Sequence, residues 1–121
     1  MKRTTIILLS TCLLLFISCW GLLNDNYQLY GSEWSTEDTA QGLKFYNDDS
    51  VLFFWELGRQ AGTYDYNAST GIVELSGLHV TLLGETAEFT AAEVFNDGTM
   101  KLYWHYLGQS ENYYTLLYKR R

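Results

Sequence analysis

Fourteen acidic residues, two histidines and two cysteines are the side chains of this 121-residue chain suited to acid–base, metal or covalent chemistry. A pair of carboxylates cleaves a glycosidic bond when one is held protonated opposite the other. Glu33, Asp48, Asp49, Asp65, Glu74 and Glu93 instead fall in turns or on the polar side of alternating segments, where a charge is solvated. His79 and His105 are too few for a zinc site without carboxylates on matching faces. His105 alternates with an apolar row, so it is expected to face solvent. No serine sits in a glycine-flanked elbow, and single scattered glycines make no phosphate cradle. The expectation is a non-enzymatic protein with no catalytic residue, no metal and no cofactor.

Both cysteines lie near the start, in MKRTTIILLSTCLLLFISCW. Lys2 and Arg3 form a positive n-region, and Ile6 to Ile17 is an apolar h-region, the pattern of a secretory signal peptide. The run closes on Phe16-Ile17-Ser18-Cys19, which resembles the lipobox of bacterial lipoproteins, with Phe16 in place of the usual Leu. The resemblance implies a signal peptide over 1–18, a lipid on Cys19, a tether over 19–28 and a domain over 29–121. It also implies a cell-envelope location, lipid-anchored and at the outer membrane. Ile6 to Leu23 as an uncleaved anchor is the alternative, since its length is marginal for a span. With Cys12 removed and Cys19 lipidated, the mature chain keeps no free thiol for a disulfide or a metal.

Removing 18 of 121 residues leaves 103, enough for one modest core. Loss of Lys2 and Arg3 takes the net charge from −6 to −8. An acidic body argues against nucleic acid as a partner, because no spread of bases can track a phosphate backbone. The expected partners are a membrane, through the lipid, and either a small ligand or a protein or glycan.

From Leu29 onward, apolar residues alternate in short runs separated by Gly, Asn and Asp clusters. Val51, Phe53, Trp55 and Leu57 share one face, and Leu52, Phe54 and Glu56 the other. Ala87, Phe89 and Ala91 form a second such row. Asn96-Asp97-Gly98 is a hairpin signal. After it, Met100, Leu102, Trp104 and Tyr106 alternate with Lys101, Tyr103, His105 and Leu107; Tyr114, Leu116 and Tyr118 form the last row. The pattern predicts an all-β domain of about eight antiparallel strands, either an up-and-down barrel or a curled meander; closure would remove the exposed edges.

Tyr30-Gly31-Ser32-Glu33-Trp34, the Gly42 to Val51 segment, Gly62 to Tyr66 and the closing Tyr114 to Arg120 segment resemble the small lipocalin-like lipoproteins of Bacteroidetes. Lipocalins carry G-x-W near the first strand, with the Trp packed on a base from the last; here the spacing is G-x-x-W. The resemblance implies that Trp34 closes one end of a barrel, on Trp104 or the stem of Arg120. Asp38-Thr39-Ala40 and Asp49-Ser50-Val51 resemble the short O-glycosylation motif of the same group, which makes Thr39 a candidate site.

Two functions suit such a barrel. Bulky inward rows leave a mostly filled interior, with a mouth lined by Tyr64, Tyr66, Trp104, Tyr106 and Tyr114 for a small apolar or aromatic ligand. Alternatively, Phe54, Tyr103, His105 and Tyr113 gather on the outside as an aromatic surface for a protein or glycan, in an interaction or inhibitor role.

Overall fold

The computed structural model describes residues 25–121. The signal segment, Cys19 and the first part of the tether lie outside the described residues. A 3-10 turn over Asn26–Gln28 precedes eight strands: β1 (Glu33–Ser35), β2 (Gly42–Phe45), β3 (Ser50–Trp55), β4 (Gly58–Asn67), β5 (Ile72–Leu82), β6 (Glu85–Val94), β7 (Thr99–Tyr106) and β8 (Asn112–Lys119). They pair antiparallel in chain order and close, β8 returning to β1 through Trp34↔Lys119 and Ser35↔Tyr118. The domain is thus an all-β, up-and-down, eight-stranded barrel of lipocalin-like form. Among the described residues, no helix is long and apolar enough to cross a membrane.

Period-2 alternation decides which side chains enter the barrel. Leu43, Phe45, Val51, Val73, Met100, Leu102 and Leu117 are wholly buried and fill one half of it. Two irregularities shift the alternation. Gly77, at φ 80°, sits in a register shift on β5, so that Leu75 and Leu78 both point inward. A second shift lies between Phe89 and Ala91 on β6. It turns Ala91 outward beside Tyr103 and puts Ala92 in the core, which corrects the continuous Ala87–Phe89–Ala91 row.

β8 also departs from its expected phase. Trp104 pairs with Tyr113, Leu102 with Thr115 and Met100 with Leu117, so Tyr113, Thr115 and Leu117 form the inward row. Tyr114, Leu116 and Tyr118 are exposed on the outside.

The two ends of the barrel differ. At one end the 3-10 turn acts as a plug. The buried Asn26 amide donates to Asp48 O (2.6 Å) and Tyr64 O (2.9 Å), and its oxygen accepts from the Tyr66 N–H (2.7 Å). Trp34 is buried beside it and donates its indole N–H to Ser32 Oγ (2.9 Å), which donates in turn to Leu29 O (2.6 Å). The base over the Trp34 ring is Lys119, with Nζ 5.9 Å from the centroid, rather than Arg120. Arg120 lies outside and holds the seam, with Nε donating to Ser35 Oγ and Nη2 to Thr36 O. The other end, ringed by the β1–β2, β3–β4, β5–β6 and β7–β8 connections, is open.

Candidate functional site

The inward rows of β3, β5, β6, β7 and β8 continue past the packed half and line a cavity of about 580 Å³. Its walls are aromatic. Trp55 stacks on Phe53 (5.5 Å), Phe53 meets Phe89 (4.3 Å), and Phe89 meets Trp104 (6.4 Å). Trp104 meets Tyr106 edge-on at 5.3 Å. Trp55–Phe53 and Trp104–Tyr106 are same-face neighbours along β3 and β7, Phe89–Trp104 is a cross-strand pair of β6 and β7, and Phe53–Phe89 joins β3 to β6 across the interior and floors the cavity. Val80, Ala87 and Thr115 complete the inner wall, and Trp104 is fixed by its N–H to Thr115 Oγ1 (3.1 Å). The Trp55 N–H is buried without a hydrogen-bond partner. Such a group costs about 1–3 kcal/mol.

At the lip, the lining passes to Ala40 and Gln41, Glu56 and Leu57, and Leu82, Leu83 and Glu85. Leu57 is 77% exposed and Leu83 104% exposed. Leu83 also holds φ at +54°, a conformation that leucine rarely adopts.

Of the five tyrosine and tryptophan positions expected at the mouth, Trp104 and Tyr106 line the cavity. Tyr64 and Tyr66 sit in the sealed end instead. The Tyr64 hydroxyl donates to Asn47 O (2.6 Å) and Asn26 O (3.2 Å), and its ring meets Phe45 edge-on. Burial, with Asp48 and Asp49 nearby, pushes the Tyr64 phenol up to about 12; burial also raises that of Tyr66. Tyr114 is on the outer face, 57% exposed, because of the β8 phase.

On the outside, Phe54, Tyr103 and His105 are half-buried at outward positions. Tyr103 meets Tyr114 at 6.3 Å and donates to Glu93 Oε1 (3.0 Å); burial and that carboxylate raise its phenol. Lys101 Nζ lies over Tyr114 (4.7 Å). Tyr113 does not belong to this surface. It stacks on Trp104 (4.8 Å) in the inward row of β8 and donates to Glu111 Oε2 (3.0 Å), which raises its phenol. Thr39 is exposed in the β1–β2 connection, with φ at +61°.

Sequence alternation did not single out Phe53, Trp55, Phe89 or the lip leucines as site residues. A usable signal was present for the last group. Leu57-Gly58, Leu83-Gly84 and Leu107-Gly108 each fall at a β-hairpin turn, and the three turns surround the same end. Among the described residues, no group of three or more His, Cys, Asp or Glu side chains is placed to hold a metal ion. The chain matches no protein-family model, no curated protein and no solved structure.

Proposed function

We propose that this chain is a non-enzymatic cell-envelope lipoprotein whose small barrel binds an apolar or aromatic ligand. The observation that carries the reading is the aromatic-walled cavity of about 580 Å³ at one end of an otherwise packed barrel. That volume lies within the usual range for small-molecule sites. Membrane attachment would come through lipid on Cys19, as in the lipocalin-like lipoproteins that the sequence resembles.

Two measurements test this. Intact mass of the envelope-extracted protein should show a chain starting at Cys19 with lipid attached; an unmodified start at Met1 overturns the anchor. Residues 25–121 contain the whole closed barrel and its plug, so a chain from Trp20 carries every described element. Calorimetric titration of that chain with a neutral aromatic such as 2-naphthol should show a saturable heat change that Trp104→Leu reduces. No change at millimolar ligand, with the barrel folded, overturns the binding reading.

A second reading rests on the outer face of β7 and β8. Tyr114, Leu116 and Tyr118, beside the half-buried Tyr103, form an exposed apolar strip there, suited to a protein or glycan contact. Replacing Tyr114 and Tyr118 with Ser would leave cavity binding intact and abolish such a contact.

A further inference from the structure

The cavity's lining is uneven in charge and in shape. Among the described residues that line it, the charged side chains are Glu56 and Glu85, and neither Lys, Arg nor His is present. Glu85 ends the inward row of β6, opposite Leu82 on β5. Glu56 lies in the tight turn between β3 and β4. Both side chains are exposed at the lip, beside whatever fills the mouth.

The lip itself is aliphatic. Leu57, Leu82 and Leu83 carry the apolar lining out past the aromatic belt into solvent. Leu83 is held in a strained backbone with no protein packing to compensate. A compact aromatic ligand would sit among Phe53, Phe89 and Trp104 and leave these leucines wet. A chain long enough to pass the belt and reach the lip covers them.

We infer that the cavity takes a long-chain amphiphile with a cationic head group. The chain lies against the aromatic belt, the lip leucines cover its outer methylenes, and the head group rests between Glu56 and Glu85. This deepens the ligand-binding reading above and rests on it. Two carboxylates near one cation favour it over an anionic head on the same chain, most strongly at low ionic strength.

The test uses three probes on the chain from Trp20, below their micelle concentrations and in low salt. They are dodecyltrimethylammonium, dodecanoate and 2-naphthol, read by calorimetry and tryptophan emission. Near-ultraviolet circular dichroism checks that the barrel stays folded. The cationic chain is expected to bind at least about tenfold more tightly than dodecanoate. The Glu56→Gln, Glu85→Gln double variant should bring the two within about threefold by removing the charge preference. Leu83→Asn should weaken both chains several-fold and 2-naphthol by a smaller factor. Equal or tighter binding of dodecanoate by the unaltered protein overturns the proposal. So does binding of 2-naphthol with neither chain, which leaves the aromatic-ligand reading standing. Failure of all three probes on a folded barrel brings down both.

Discussion

Leu83 is where the side chain and the backbone disagree most openly. It occupies the first position of a two-residue turn between Leu82 and Glu85, with φ at +54°, and its side chain is fully exposed. Left-handed backbone costs a branched L-residue about 1–2 kcal/mol, while Asn tolerates it. Leu83→Asn is therefore expected to raise stability by about 0.5–1 kcal/mol in urea unfolding, while weakening chain binding. Loss of stability in that variant would show that Leu83 packs on something in the folded protein. Tyr64 gives the reverse case, a polar group enclosed. Its phenol is raised to about 12, so the neutral form is the one the fold favours. A group raised in the folded state contributes stability that is complete below its unfolded value, about 10, and is lost as pH rises through about 12. Melting temperatures of the unaltered chain should fall between pH 10 and 12 more steeply than those of Tyr64→Phe. Parallel curves would mean that the phenol ionises freely in the folded state.

At the scale of elements, the plug turn is tied to the barrel by two side chains, Asp25, which accepts from the Ala68 N–H (2.7 Å), and Asn26. Asn26 joins β4 and the β2–β3 connection through three hydrogen bonds, and it is fully buried. Asn26→Ala leaves the Tyr66 N–H and two carbonyls unpaired in that site. At about 1–3 kcal/mol for each orphaned group, a loss of about 3–5 kcal/mol is expected. Hydrogen exchange at the Tyr66 amide should rise first; a loss under about 1 kcal/mol would show that water replaces the amide. How much of this was legible in the sequence varied by element. Alternation alone gave the strand number, the antiparallel order and the inward rows of β3 and β7, where Glu56 on the one outer face and Lys101 and His105 on the other mark the solvent side. It failed on β8, where Tyr113-Tyr114-Thr115-Leu116-Leu117-Tyr118 offers bulky residues at both parities. There only the pairing of Trp104 with Tyr113 decides the phase. It failed again on β6, because a bulge adds one residue without any Gly to announce it. Asn26 was read as tether, since a buried partner 38 residues away leaves no local trace. The bulky inward rows point to a mostly filled barrel with a small mouth, but they do not say at which end the space lies. Fullness depends on which end they occupy: Phe53 and Phe89 meet across the interior, and beyond that contact Trp55, Trp104 and Tyr106 line open space.

On the scale of the whole molecule, closure rests on its shortest contact. β1 spans three residues and meets β8 through two residue pairs, whereas β4 and β5 meet through five. A closed barrel has no free edge, but a short seam is the place where one can reappear. Arg120 reinforces it from outside. Its backbone N–H donates to Glu33 O (2.7 Å), and its guanidinium spans Ser35 Oγ and Thr36 O on β1 and just beyond. The planar fork reaches both acceptors at once, which a lysine ammonium on its flexible stem cannot do as well. Hydrogen bonds from a charged donor contribute about 1.5–3 kcal/mol together with the order they impose. Arg120→Ala is therefore expected to lower stability by about 2 kcal/mol, with Arg120→Lys recovering less than half of it. The loss should also be local. Native-state hydrogen exchange should accelerate at the Arg120 amide, which closes the seam onto Glu33, well before the amides of the β4–β5 ladder. Equal acceleration around the whole barrel would mean that the strands open together and that the seam has no separate weakness.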